Sequence, residues 1–193
     1  PLLRESGKFL IQHVVEQAAK SRLASRVLVA TDDQRIADAV ASFGGVAVMT
    51  SAAHQSGTDR IAEVLRRPEF SRIDSVVNVQ GDEPLMQAES IRKCAEPLLA
   101  DSRIEMGSVY CECSEAELDN PAVVKVVTDN AGFALYFSRH AIPFPRNPRR
   151  IPVKKHIGLY AYRRDSLRSF ATWPMGDLEA AESLEQLRFM ENG

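Results

Sequence analysis

The run Val76-Val77-Asn78-Val79-Gln80-Gly81-Asp82-Glu83-Pro84 constrains the fold more than any other part of the chain. Its first four residues read as a buried strand. Gly81 permits a sharp turn, and Pro84 ends the segment because it has no N–H to extend a ladder. Asp82 and Glu83 then fall just past the strand's carboxyl end, where open α/β sheets bind their ligands. Two adjacent carboxylates there suit a divalent cation shared with a phosphate-bearing substrate, since hard cations take oxygen ligands. The same letters also make an ordinary surface turn.

The neighbouring segments alternate in kind. Residues 8–21 place Leu10, Ile11, Val14, Val15 and Ala18 on one helical face. Residues 26–30 form a short β-branched run, and Thr31-Asp32-Asp33 ends it and caps a helix reaching to about Phe43. Gly44-Gly45 breaks that helix ahead of a strand at 46–49. Helix, strand, helix, strand predicts βαβ units and a mostly parallel sheet. Beyond Pro84 come a helix at about 88–99 and a strand at 106–113. Two β-rich runs follow, 123–127 and 133–137, joined by Thr128-Asp129-Asn130-Ala131-Gly132 as a hairpin. A hairpin after βαβ units makes the sheet mixed. The last helix spans about 178–190, with Ala181, Leu184 and Leu187 inward and Glu185-Gln186 off the buried stripe.

Three loops or strands carry candidate chemistry. The loop Thr50 to Arg60 is polar and opens a helix at about 59–67. Its hydroxyls, Gly57 and helix-start N–H groups suit sugar or phosphate oxygens, and Ser56 or Thr58 suits plain helix capping equally. Residues 142–152 hold four prolines and Arg146, Arg149 and Arg150, an irregular basic loop that reads as an active-site flap, an oligomer arm or a solvated loop. Residues 155–162 alternate, with His156, Gly158, Tyr160 and Tyr162 on one face and Ile157, Leu159 and Ala161 on the other. An imidazole with phenols is a hydrogen-bonding wall for a sugar, or the wet face of an edge strand.

Composition narrows the classes. At 193 residues the chain fits one domain, 1–193, and its net charge of −2 gives no bulk case for nucleic acid or an anionic membrane. No run nears the ~18 apolar residues of a membrane span and no signal peptide is present, so the expected location is cytoplasmic. Cys94, Cys111 and Cys113 make no disulfide framework, and Cys111-Glu112-Cys113 reads as two packed thiols more readily than as a zinc site.

Seven segments in order then resemble one family: Val29-Ala30-Thr31-Asp32, His54 to Arg60, Asn78 to Pro84, Asn120-Pro121 with Val124 to Val127, Phe137-Ser138-Arg139, His156 to Arg163 and Glu182 to Arg188. Together they are similar to the 3-deoxy-manno-octulosonate (Kdo) cytidylyltransferases. The resemblance implies a Rossmann-like α/β fold of the nucleotide-diphospho-sugar transferase type, a homodimer, and Mg²⁺-dependent transfer of CMP from CTP to Kdo with release of pyrophosphate, feeding lipopolysaccharide synthesis. It implies that Asp82 is the Mg²⁺ ligand and catalytic with Gln80 beside it. Ser56, Gly57, Thr58 and Gln80 would lie on the nucleotide side. Arg60, Arg139, His156, Tyr160, Glu185 and Gln186 would bind Kdo, and an Arg fork matches a carboxylate. The family pattern also has a strand and a Gly-Lys-Pro-Leu loop of which Pro1-Leu2 looks like the tail, and a C-terminal strand with a second metal-binding Asp. A chain clipped at both ends and weakened in catalysis is therefore expected. The alternatives are an amino-Kdo acceptor and a non-catalytic sugar-nucleotide-binding module.

Overall fold

A computed structural model describes residues 1–54, 56–148 and 150–193. Gln55 of the polar loop and Arg149 of the basic loop lie outside the described residues. The chain divides into two compact units, one of residues 1–107 with 158–171 and one of residues 108–157 with 172–193.

In the first unit the predicted alternation is present. Helix α1 (Leu10–Lys20) buries Ile11 and Val14. Strand β1 (Val29–Thr31) pairs in parallel with β2 (Ala47–Met49), joined by α2 (Gln34–Ser42). Asp33 caps α2 by accepting from the Arg35 N–H at 2.8 Å. Helix α3 (Gly57–Arg66) packs on β1 and on β3 (Ser75–Asn78), and α4 (Ala88–Ala100) packs on β3. Strand β3 pairs antiparallel with residues 160–163 of the last strand. The unit closes with a short helix, α5 (Arg164–Phe170), whose Leu167 and Phe170 are fully buried. Arg163 donates to Leu98 O and, at 3.1 Å, to Asp101 O at the end of α4, and Arg164 donates to Leu65 O at the end of α3 and, at 2.6 Å, to Phe70 O in the helical turn beyond it. Cations there favour the helix carboxyl ends.

Close packing is visible around Cys94. Its side chain is fully buried, with Sγ 3.5 Å from the carbonyls of both Gly107 and Leu159. Only glycine fits at 107, because a Cβ there would lie 2.4 Å from the Cys94 carbonyl oxygen.

A cavity of about 580 Å³ runs through this unit. Consecutive residues 27–30 and 75–81 line it. Side chains alternate faces along a strand, so lining by every residue in turn means that β1 and β3 present their edges. That explains why Val76 and Val77, read from the sequence as fully buried, are only half-buried.

The second unit is built on the hairpin. Strands β5 (Lys125–Thr128) and β6 (Ala134–Ser138) pair antiparallel, with a register shift between Val127 and Thr128. β5 also pairs antiparallel with Lys154 and Lys155. Strands β4 (Met106–Glu112) and β7 (Lys154–Arg163) each contribute to both units along the chain. The described strands thus form two sheets, the parallel β1–β2 pair and a five-stranded sheet ordered β3-β7-β5-β6 with β4 also on β7. Parallel and antiparallel pairings are both present, but β3–β7, β5–β7 and β5–β6 are antiparallel. The mostly parallel sheet expected from the helix–strand alternation is therefore confined to β1 and β2, because β5, β6 and β7 are joined by a hairpin and a return loop instead of helical crossovers.

The carboxyl-terminal helix differs from its reading. It is two short helices, α6 (Asp177–Glu182) and α7 (Gln186–Glu191), broken at Ser183, whose φ is 51°. The break resets the helical phase. Leu184 and Leu187 are buried with Val126 and Phe137, but Ala181 is exposed and Gln186 is buried. Fully burying a side chain such as Leu187 contributes roughly 1.5–3 kcal/mol. Arg188 and Glu179 form a buried ion pair at 2.5 Å that ties the two helices.

Candidate active site

The carboxyl end of β3 leads directly into the candidate residues. Asn78 is buried, Gln80 and Gly81 are half-buried, and Asp82 and Glu83 are exposed. The turn is closed by the Glu83 N–H donating to Gln80 O at 3.2 Å. Gly81 lies against α1, since a Cβ there would stand 3.3 Å from Ile11 Cδ1.

Helix α3 brings its first turn to the same place. A Cβ on Gly57 would be 3.7 Å from Asn78 Nδ2, so the helix start abuts the end of β3. Gly57, Arg60, Gln80 and Gly81 all line the 580 Å³ cavity. The structure thus joins two segments separated by more than twenty residues in sequence. Ser56 is the N-cap: its Oγ accepts from the Asp59 N–H at 3.1 Å and donates to Asp59 Oδ2 at 3.0 Å. Thr58 is buried at 1% exposure, so it serves packing at the helix start.

Arg60 is fixed from two strand ends. Nη1 donates to Thr50 Oγ1 at 2.6 Å, just past β2, and Nη2 lies 3.2 Å from Asp32 Oδ1, just past β1. Beside it, Glu63 accepts from the Ser51 N–H at 2.9 Å and meets His54 Nε2 at 2.6 Å. These bonds, with Arg67, hold the Glu63 carboxyl down at about 2. Glu63 carried no signal in the sequence beyond a helical position.

Tyr160 belongs to this first unit. It sits opposite Asn78 in the β3–β7 ladder, is 9% exposed, and stacks on Tyr162 with centroids 5.9 Å apart. The strand that alternates in sequence is therefore covered on both faces here, with Leu159, Ala161 and Tyr162 also buried.

The second unit holds Arg139, His156, Glu185 and Gln186. The Arg139 guanidinium donates to three main-chain carbonyls: Nε to Glu182 at 2.6 Å, Nη1 to Pro121 at 2.8 Å and Nη2 to Ser183 at 3.2 Å. Of its five N–H groups these leave, among the described residues, one on each terminal nitrogen, which is still a fork for a carboxylate. His156 Nε2 lies 2.8 Å from Ser108 Oγ, and Phe137 meets the ring edge-on at 4.9 Å. Burial pushes the His156 pKa down to about 4, so the ring is neutral near pH 7 and acts as a hydrogen-bonding group, not a cation. Glu185 stands at the start of α7 and is partly buried, next to the buried Gln186.

Lys125 was not singled out in the sequence. It is fully buried, and its Nζ donates to Asn120 O at 2.8 Å and Arg139 O at 3.0 Å. A buried ammonium is costly unless hydrogen-bonded, so this pair of bonds secures the turn that also anchors Arg139. The only hint was a Lys alternating within an apolar run.

No group of three or more His, Cys, Asp or Glu suited to a metal occurs among the described residues. Cys111 and Cys113, exposed and half-buried, are free thiols. The exposed carboxylates of Asp82 and Glu83 are therefore a partial, all-oxygen donor set. That set fits Mg²⁺, which is commonly held by one or two carboxylates together with substrate phosphates and water.

A nucleotide-binding α/β domain with polar groups at its strand ends is the class that this geometry defines. The sequence profile described as Cytidylyltransferase matches residues 1–193. The chain belongs to the cytidylyltransferase family. It is 49% identical to the 3-deoxy-manno-octulosonate cytidylyltransferase of Syntrophotalea carbinolica, with 100% of this chain aligned to 80% of that protein. It is 48% identical to the protein of that name from Geobacter metallireducens, over 97% of this chain and 77% of the relative. An 8-amino-3,8-dideoxy-manno-octulosonate cytidylyltransferase from Shewanella amazonensis is 47% identical, over 100% of this chain and 80% of the relative. Among solved structures, a CMP:2-keto-3-deoxy-manno-octonic acid synthetase complexed with CTP superposes with a TM-score of 0.95 at 43% identity, covering 100% of this chain and 79% of that one. The chain thus spans about four-fifths of the length of these relatives.

Proposed function

We propose that the chain transfers CMP from CTP to the anomeric hydroxyl of Kdo, giving CMP-Kdo and pyrophosphate. The observation that carries this reading is the full-chain similarity, at 49% identity, to a 3-deoxy-manno-octulosonate cytidylyltransferase. The abutment of the α3 start on the end of β3 supports it, because helix-start N–H groups beside a carboxylate-bearing turn suit a nucleotide's phosphates.

In the reaction the acceptor oxygen bonds to the α-phosphorus, the bond from that phosphorus to the β-phosphate bridging oxygen breaks, and the acceptor's proton leaves to solvent. Little covalent work falls to the protein, so positioning and charge neutralisation dominate. Gln80 and the α3 start orient the nucleotide. Neutral His156 hydrogen-bonds sugar hydroxyls, and the remaining fork of Arg139 takes the acceptor carboxylate. Asp82 would hold Mg²⁺, which when bound neutralises phosphate charge. We further propose a homodimer, supported by Phe133 and Leu135, exposed at 58% and 57% on the hairpin. Among the described residues no helix is long and apolar enough to cross a membrane, and a cytoplasmic site of action is proposed on the acceptor's chemistry.

Pyrophosphate release with CTP and Mg²⁺ tests the reading. Kdo-dependent release supports it, and none with either acceptor overturns it. The 47% identity to an amino-Kdo enzyme makes that acceptor the second reading. Competition between the two acceptors decides: a clear preference for the 8-amino sugar would replace Kdo.

A further inference from the structure

We infer that Asp32 is a positioning residue that works through Arg60. It holds the guanidinium at the cavity for an anionic oxygen group of a substrate, either the nucleotide's phosphates or the acceptor's carboxylate. This rests on the proposed transferase reading.

Arg60 lies in the first turn of α3 and ties that helix to the ends of two strands. Its Nη2 meets Asp32 Oδ1 at 3.2 Å beyond β1. Its Nη1 bonds Thr50 Oγ1 at 2.6 Å beyond β2, with Ser51 O at 3.4 Å. The strand ends are themselves pinned: the Asp33 N–H donates to Thr31 Oγ1 at 3.1 Å, and the Thr50 N–H donates to Thr31 O at 2.9 Å. Asp32 is thereby a fixed carboxylate between a cap and a ladder end, while its partner would otherwise be a long, flexible side chain. Arg60 also lines the cavity with Gly57, Gln80 and Gly81. Among the described residues its Nε–H and one Nη2–H are not committed to the strand ends, so a donor pair is left for an anion.

Stability alone gives the pair little reason to exist. Side chains that are 19% and 37% exposed place it in the range where ion pairs contribute little. A guanidinium held by two strand ends at the edge of a largely apolar cavity, with Gln80 beside it, is better explained as preorganised for a ligand, because lost side-chain freedom is then not charged against binding. The carboxylate also offsets part of the arginine's charge. The anion is therefore gripped by geometry and released after reaction.

The test is a double-mutant cycle with Asp32→Ala, Arg60→Ala and the pair, with Asp32→Glu as the conservative rescue. It is read by steady-state kinetics in CTP and in Kdo and by calorimetric binding of CTP. Asp32→Ala is expected to lower kcat/KM about tenfold for one of the two substrates, with the melting temperature held within a few degrees. Added to Arg60→Ala it costs less than a further twofold, and Asp32→Glu recovers most of the loss. A rise confined to KM for CTP assigns Arg60 to phosphate, and a rise confined to KM for Kdo assigns it to the carboxylate. Kinetics of Asp32→Ala within twofold of the parent, or fully additive effects, would overturn the inference. A parent that binds CTP with Asp32-dependent affinity but transfers nothing would sink the transferase reading and leave this one standing. A parent that binds no CTP and turns over nothing counts against both.

Discussion

The two units handle their candidate residues in opposite ways. In the first, Gln80, Gly81 and Gly57 border a cavity, Asp82 is exposed, and the flanking strands are only half-buried. In the second, Arg139 is bonded to three carbonyls, Lys125 is fully buried, and His156 is dehydrated enough to stay uncharged well below the usual histidine range. One region keeps its polar groups available. The other uses them first as framework, and any ligand receives what is left. A substitution should therefore cost activity in the first unit and stability in the second.

The largest expected departure is in activity. Asp82→Asn should lower Mg²⁺-dependent kcat by about 10²–10³-fold, as removal of one charge-stabilising group commonly does. Its melting temperature should match the parent, because the side chain is exposed. A large drop in melting temperature would break the contrast. The converse is Lys125→Ala, which leaves two part-buried carbonyls without their donor and a hole where the fully buried side chain stood. A loss of roughly 3 kcal/mol is expected, seen as a melting temperature lower by about 6–12 °C. Lys125→Met, which fills the space, should lose less.

Next comes a pH effect. The folded-state pKa of His156 is depressed to about 4 from 6.5, so the unfolded chain binds more protons between those values. Stability from the neutral ring is full above pH 6.5 and is lost as pH falls toward 4, by about 2 kcal/mol once partial exposure is allowed for. His156→Gln should flatten that slope in denaturant titrations run across the window. An unchanged slope would show that the ring is not the responsible group. The smallest effect sharpens the comparison. Arg139→Lys keeps the charge and loses the fork, so KM for the acceptor should rise about tenfold with KM for CTP unchanged. Equal rises for both would remove Arg139 from the acceptor's side.

What could be read from the sequence follows from the range of the forces. The hairpin was legible because Asp129 and Gly132 specify their turn locally; Asp129 Oδ1 accepts from the N–H groups of Ala131 and Phe133. Helices α2 and α3 were legible because each pairs a periodic apolar face with a capping residue, Asp33 and Ser56, while α1 and α4 were legible from their periodic apolar faces alone. The break at Ser183 was not, since a non-glycine residue at φ 51° leaves no mark on periodicity. The residues at the end of β3 and the start of α3 were each visible, but their meeting depends on Gly57 backing onto Asn78, a tertiary contact. Lys125 and Glu63 were hidden for a related reason. Their partners are main-chain groups or distant side chains, and a lysine in a strand or a glutamate on a helix looks like a solvated charge until those partners are in place.

The packing at Gly107 gives the protein a built-in clock. Cys94 Sγ is sealed between two carbonyls, and burial raises its thiol pKa to about 12. The reactive species toward alkylating reagents is the thiolate. Cys111, exposed at the end of β4, is open to such reagents in the native state, whereas Cys94 is labelled only when the first unit opens. Counting labels by mass against time thus separates surface chemistry from the opening rate of the β3–α4 region, without a probe being added to the molecule.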